Sequence, residues 1–124
     1  MQTILFIAIG GAIGSILRFL LSQKINQWLG LSFPYGIFTV NVLGCLLIGF
    51  LSALLVECLA LPPVWRMGIL VGLLGGFTTF SSFTLDALSL FERGAVIAAI
   101  SYVLSSVVFC LLATLFGLFL GRNV

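Results

Sequence analysis

Apolar residues dominate four long stretches of the chain, and short polar or proline-containing segments separate them. The stretches cover residues 3–21, 35–57, 65–91 and 95–121. As a helix rising 1.5 Å per residue, each can cross a hydrocarbon layer about 30 Å thick. The pattern therefore predicts an all-α membrane protein, in which residues 1–124 form a single transmembrane domain of four helices.

Composition agrees with this interpretation. The chain is 62% hydrophobic and only 6% charged, which is too few charges to cover the surface of a soluble domain. We expect a multi-pass protein in contact with the lipid bilayer and with no nucleic-acid partner. The first stretch lacks a basic leading segment and a small-residue cleavage site, so a retained helix is favoured over a signal peptide. Three cysteines without C-x-x-C spacing and the lack of histidine suggest neither disulfides nor a zinc site.

The third apolar stretch is interrupted by helix-weakening residues. Residues 75–86 contain two glycines and five hydroxyl side chains, near the middle of the stretch. This predicts a helix that is broken at mid-membrane, ending near Gly75 and restarting within residues 79–82. The carbonyls of the first end suit a cation, and the N–H groups of the second suit an anion. A simple kink satisfied by neighbouring helices is the structural alternative.

Aromatic and hydroxyl side chains alternate just after this predicted break. Phe80 and Phe83 can share one helix face, beside Ser81 and Ser82. Aromatic rings usually serve packing, but a ring edge carries partial positive charge and can face a small anion. The segment therefore also fits a wall of ring edges and hydroxyl donors that passes an anion weakly.

Neutral polar side chains continue in two other stretches. Tyr102, Ser106, Cys110 and Thr114 lie four residues apart and form a slowly winding polar track, unless the hydroxyls only bond carbonyls of their own helix. Asn41 needs partners inside the membrane and can serve simply to join helices. Donors without charge suit conduction, because a conducting path must also release its ion.

Glycines recur at four-residue spacing in the first and third stretches, which predicts helices whose backbones pack closely. They are Gly10 and Gly14, and Gly68, Gly72 and Gly76.

The basic residues give almost no orientation bias. Arg18, Lys24 and Arg93 fall on one side, and Arg66 and Arg122 fall on the other. Both orientations can therefore insert, and an antiparallel homodimer of dual topology becomes a hypothesis.

Two groups of charged residues have simple structural explanations. Arg18 can extend to the interface or pair with Asp86 at similar depth. Glu57, Arg66 and Arg122 gather at the other side and are interpreted as interfacial charges without a specific task.

Three segments together resemble the fluoride channel family, Fluc, also called CrcB. They are residues 10–18 (GGAIGSILR), 41–44 (NVLG) and 75–83 (GGFTTFSSF). The resemblance extends over essentially the whole chain, and the third segment is its most specific part.

The resemblance implies a dual-topology, antiparallel homodimer in the bacterial inner membrane that exports fluoride passively through two pores and so reduces its toxicity. Phe80 and Phe83 would be the pore phenylalanines, and Asn41 the amide donor beside them. The other implied pore residues are Ser81, Ser82, Ser106, Cys110 and Thr114. Family members carry serine in place of Cys110, and a thiol is the weaker donor.

The resemblance also implies a cation site and a vestibule. Backbone carbonyls of Gly75 and Thr78, from both subunits, would hold a central Na⁺ that is structural and not transported. Arg18 would make the aqueous vestibule electropositive.

Other classes of protein are less compatible with the sequence. A small multidrug transporter is also a four-helix protein that inserts both ways, but it needs a carboxylate deep in the membrane, and Glu57 lies at a helix end. A fluoride/proton exchanger is not separated from a channel by composition. An enzyme is not expected, because no histidine, paired acids or buried lysine lie beside the central serines.

Overall fold

The computed structural model describes residues 1–124, and all its regular secondary structure is helical. Four helical spans are long and apolar enough to cross a membrane. We call them the first to fourth spans: Gln2–Leu29, Tyr35–Cys58, Pro63–Glu92 and Val96–Arg122. The last turns of the second span, Ala53–Cys58, are π-helical. The prediction of an all-helical protein with four membrane-spanning helices is confirmed.

The first span is longer than predicted. It was expected to end at residue 21, but the helix continues to Leu29 and stops at Gly30, whose φ of 91° favours glycine. No glycine or proline occurs in residues 22–29, so the backbone remains helical after the apolar pattern ends. The Asn26 side chain then accepts a hydrogen bond from the Gly36 N–H at 3.0 Å, which fixes the start of the second span.

The third span consists of two helical pieces separated by two extended residues. The first half-helix covers residues 63–77 and includes the π-helical segment Met67–Leu74, and the second half-helix is Phe80–Glu92. Thr78 (φ −87°, ψ 156°) and Thr79 (φ −150°, ψ 125°) join them. The helix was predicted to end near Gly75, and it ends two residues later, at Phe77, because Gly75 is still helical at φ −62° and ψ −37°.

Close packing explains why the first half-helix continues past Gly75. A Cβ on Gly76 would lie 2.7 Å from the carbonyl oxygen of Gly11, so the two backbones are in direct contact. The predicted glycine contacts between the first and third spans are confirmed along this face. They involve Gly10, Gly14, Gly68, Gly72 and Gly76.

The second half-helix packs on a different neighbour and by different means. Its buried residues Phe83, Ala87 and Leu90 form a hydrophobic cluster with Ala99 and Tyr102 of the fourth span. Large side chains, rather than bare backbone, fill this interface.

The second and fourth spans lie side by side and run in the same direction. A Cβ on Gly49 would lie 3.0 Å from the Leu118 nitrogen, and one on Gly117 would lie 2.8 Å from the Phe50 nitrogen. The backbone of Thr114 also contacts Gly49. One helical turn earlier on both spans, this register places Cys45 opposite Cys110.

Candidate functional site

A single side chain from the second span binds the backbone of the third span at its interruption. The Nδ2 of Asn41 donates to the Thr79 carbonyl at 3.0 Å, and the Thr79 N–H donates to the Asn41 Oδ1 at 2.8 Å. The carboxamide thus replaces two hydrogen bonds that a continuous helix would make. One N–H of Asn41 is left over from this exchange.

Thr79 also caps the second half-helix. Its Oγ1 accepts a hydrogen bond from the Ser82 N–H at 3.2 Å and lies 3.3 Å from the Ser81 hydroxyl oxygen. Threonine at an N-cap satisfies one of the free N–H groups of the first turn. Among the hydroxyl side chains of residues 78–82, Thr79 is the one that caps the second half-helix. Thr78 instead donates to the Leu74 carbonyl at 3.0 Å.

Free carbonyls lie on the other side of the interruption. The Thr78 carbonyl accepts no hydrogen bond. The Gly75 carbonyl would accept from the Thr79 N–H in a continuous helix, but that N–H is bound to Asn41. Gly75 is exposed, and a Cβ there would have no heavy atom closer than 3.9 Å. Uncharged backbone oxygens fit a hard cation such as Na⁺, so these residues are chemically compatible with the implied site.

Arg18 contacts this carbonyl end directly. Its Nη1 donates to the Gly76 carbonyl at 3.1 Å, where a cation is favourable beside the last turn of a helix. The suggested ion pair between Arg18 and Asp86 is wrong. The ion pair of the chain joins Arg122 to Glu57 at 3.2 Å, with both side chains about half exposed.

A cavity of about 250 Å³ adjoins the interruption and is lined by three of the four spans. Its polar lining is uncharged, and no Asp, Glu, Lys or Arg contributes to it. The lining residues are Asn41, Cys45, Thr78, Thr79, Phe80, Phe83, Ser106, Val107 and Cys110.

The phenylalanines and the serine of the cavity differ in exposure. Phe83 is 7% exposed and Phe80 is 75% exposed, and their ring centroids are 5.5 Å apart. Ser106 is 4% exposed, and its Oγ has no hydrogen-bond partner. An unpaired buried hydroxyl is costly, so this group is available to a ligand in the cavity.

Several predicted pore residues lie outside the cavity. Ser81 is exposed, and Ser82 lines a separate groove that also contains Asp86 and Arg93. Thr114 lies beside Gly49, between the second and fourth spans. The structure therefore gathers Asn41, Phe80, Phe83, Ser106 and Cys110 and leaves these three residues apart.

One residue of the cavity lining, Cys45, was missed from the sequence, and Tyr102 was placed on the polar track although it does not line the cavity. Cys45 was not assigned to the pore from the sequence, yet it lines the cavity one helical turn after Asn41. That four-residue spacing was the signal that could have found it. Tyr102 of the polar track is fully buried and packs against Phe83, with 5.1 Å between ring centroids, so it lies behind the cavity wall.

Comparison with known proteins places the chain in a family. The family model described as CrcB-like protein, Camphor Resistance (CrcB), matches residues 5–118. A relative from Magnetococcus marinus is 44% identical over 98% of this chain and 98% of its own. A relative from Agrobacterium fabrum is 46% identical over 100% of this chain and 99% of its own. Both are named fluoride-specific ion channel FluC.

A third relative, from Methylococcus capsulatus, carries the same name and is 46% identical over 95% of this chain. The chain spans about half of that protein, 52% of its length. The match to the family model covers most of the chain, and the identities extend over nearly all of it. The resemblance inferred from residues 10–18, 41–44 and 75–83 is thereby confirmed, and the chain belongs to the CrcB family of fluoride channels.

Proposed function

We propose that this protein is a passive, fluoride-selective channel of the bacterial inner membrane that exports fluoride and so reduces its toxicity. The observation that carries the proposal is the uncharged cavity beside the interrupted third span. It brings hydroxyl, amide and aromatic groups from three spans to one place. An anion there meets several weak donors and no fixed positive charge that would hold it.

The donors of the cavity suit a small anion. Ser106 contributes a hydroxyl without a partner, and Asn41 contributes its remaining N–H. Phe80 and Phe83 contribute ring edges, which carry partial positive charge. Fluoride is strongly hydrated, so several close donors must replace the water that it loses, whereas a larger halide needs a wider opening.

Passive conduction is favoured over proton-coupled exchange by the chemistry of the lining. An exchanger or a small multidrug transporter needs a carboxylate on the path to carry the proton or the cationic drug. Asp86 lies in the separate groove with Ser82 and Arg93, and no carboxylate lines the cavity. The path therefore has no acidic group through which fluoride movement would be coupled to protons.

A second copy of the chain completes the site in this proposal. Phe80 is 75% exposed, although it forms part of the cavity wall, so a single chain leaves one side of the path open. Inverted pairs are a common way to build a path from few helices, and the charge bias of the sequence permits both orientations. We therefore propose that the functional form is an antiparallel, dual-topology homodimer, in which the interruption of the third span lies at mid-membrane.

The exposed carbonyl end gives the implied Na⁺ a location in such a dimer. Gly75 and Thr78 of both subunits would supply the backbone oxygens, and Arg18 lies one residue away on Gly76. The cation would offset the partial negative charge of these carbonyl oxygens. In this proposal Arg18 also contributes positive potential to the fluoride vestibule.

Fluoride efflux from loaded liposomes tests the assignment of the path. We expect Phe80→Ile and Phe83→Ile each to reduce efflux more than about tenfold, because losing about 1.4 kcal/mol of stabilisation at a barrier slows passage by that factor. Phe38→Ile is the matched control, since Phe38 packs against Phe109 with 6.0 Å between ring centroids and does not line the cavity. Wild-type rates in both cavity variants, measured with a fluoride electrode, would reject the path.

A further inference from the structure

The cavity contains two thiols from two different spans. Cys45 follows Asn41 by one turn of the second span, and Cys110 follows Ser106 by one turn of the fourth span. The glycine contacts at Gly49 fix the register that sets the cysteines opposite each other. Both side chains are partly exposed, and both line the same cavity.

These thiols are chemically unlike the rest of the lining. Hydroxyl and amide oxygens are hard ligands, whereas sulfur is soft and prefers soft metal ions. No third Cys, His, Asp or Glu is near enough to complete a larger ligand set. Cys58 is distant from the pair and donates a hydrogen bond to the Gly121 carbonyl at 3.5 Å.

We propose that Cys45 and Cys110 form a two-thiolate binding site for a soft d¹⁰ cation, such as Hg²⁺, Ag⁺ or Cu⁺, which blocks the cavity when it is bound. Such cations accept two sulfur ligands in a linear arrangement, so a pair is sufficient. Zinc is not favoured, because it takes four ligands. The block of conduction rests on the proposed function, whereas the binding of metal does not.

The binding reaction is a simple exchange of protons for metal. Each S–H bond breaks and one sulfur–metal bond forms at each cysteine, so that two protons leave and no atom is oxidised or reduced. The bound cation occupies space beside Phe80, Phe83 and Ser106. It therefore obstructs the path at the point where the anion needs its donors.

Mercury binding to purified protein tests the site without any measurement of transport. In a Cys58→Ser background, we expect one Hg²⁺ per chain, a mercury–thiolate absorption band, and protection of both remaining cysteines from alkylation detected by mass spectrometry. Cys45→Ser and Cys110→Ser in the same background should each weaken Hg²⁺ binding more than tenfold. Binding of two Hg²⁺ per chain, one on each thiol, or no protection of either cysteine, would overturn the proposal.

Fluoride efflux then tests the block, with each variant compared with its own rate before mercury is added. Hg²⁺ should inhibit the wild type and Cys58→Ser equally, and an excess of dithiol should restore efflux. Cys45→Ser and Cys110→Ser should need more than tenfold higher Hg²⁺ for the same inhibition. Equal inhibition of all four proteins would reject a bridged site in the path, whereas a wild type that conducts no fluoride before mercury would instead reject the proposed function.

Discussion

The two halves of the third span are held in contrasting ways. The first half-helix (residues 63–77) packs backbone against backbone on the first span, through glycines that leave no room for a Cβ. The second half-helix (Phe80–Glu92) packs on the fourth span through large side chains such as Phe83 and Leu90. A cavity of about 330 Å³ also lies along the first interface, but only apolar residues and glycines line it, whereas hydroxyl, amide and thiol groups line the cavity beside the second half-helix.

The contrast separates two tasks that the interruption performs. Dense packing and Arg18 fix the carbonyl end of the first half-helix, where uncharged oxygens suit a cation. The N-terminal end of the second half-helix is capped by Thr79 and adjoins the uncharged cavity. The partial positive charge of a helix N-terminus favours an anion there. Thr78 and Thr79 form the joint between the two half-helices, and Asn41 is the only side chain of another span that hydrogen-bonds to them. The position at which the second half-helix starts therefore depends on Asn41.

Asn41→Ala is expected to have the largest effect, because it removes both hydrogen bonds at the joint and leaves two Thr79 backbone groups without partners. The expected destabilisation is about 2–4 kcal/mol, and fluoride efflux should fall more than about tenfold. Asn26→Ala is the control, since it also removes an asparagine bond to backbone but acts at the connection between the first and second spans. Asn26→Ala should conduct fluoride like the wild type. If Asn41→Ala also did so, the hydrogen bonds between Asn41 and Thr79 would not be needed for conduction.

Gly76→Ala tests the dense side of the comparison. The added Cβ would meet the Gly11 carbonyl oxygen at 2.7 Å, and neither backbone can move away easily. Overpacking of this kind costs about 1–3 kcal/mol, seen as a lower melting temperature in detergent. Gly11→Ala is the matched control, because its nearest contact is 3.9 Å away. Equal melting temperatures for the two variants would contradict the packing argument.

Arg18→Gln tests the charge at the carbonyl end. The variant loses a charged donor to the Gly76 carbonyl. A hydrogen bond from a charged group contributes about 1.5–3 kcal/mol to the free energy of unfolding. We expect a smaller loss of stability than this, because glutamine can still donate a hydrogen bond. Fluoride efflux should be severalfold slower than in the wild type. The difference should be larger at low ionic strength, because a positive charge then attracts anions over a longer distance. Arg122→Gln breaks an exposed ion pair and should change neither stability nor efflux measurably.

Thr79→Val should have the smallest effect. It keeps the shape of the side chain and the backbone bonds to Asn41 but removes the cap on the Ser82 N–H, at a cost of about 1 kcal/mol. Thr79→Ser retains the cap oxygen and should behave like the wild type in thermal unfolding. A loss of stability in Thr79→Ser that equals the loss in Thr79→Val would show that the cap contributes nothing.

The number and approximate limits of the spans followed from the sequence, because long apolar stretches determine which segments can cross a membrane. The glycine contacts were predictable for a related reason, since four-residue spacing places small residues on one face. The end of the first helix was not predictable from hydropathy. Residues 22–27 are mostly polar, but nothing in residues 22–29 stops a helix before Gly30.

The site itself was only partly predictable. Phe80, Phe83, Asn41, Ser106 and Cys110 meet in one cavity, as the resemblance to the fluoride channel family implied. The sequence could not show that Asn41 binds the backbone of Thr79, because this depends on the register between the second and third spans. The contribution of Cys45 and the separation of Ser82 from the cavity depend on tertiary packing in the same way.

The most direct test of the central claim is fluoride and chloride efflux from proteoliposomes that contain only this protein, with and without an imposed pH gradient. The account predicts rapid loss of fluoride down its own gradient, retention of chloride, and no movement of fluoride against its gradient when protons are supplied. Comparable chloride efflux, or fluoride accumulation driven by the pH gradient, would contradict a passive fluoride-selective path through the uncharged cavity.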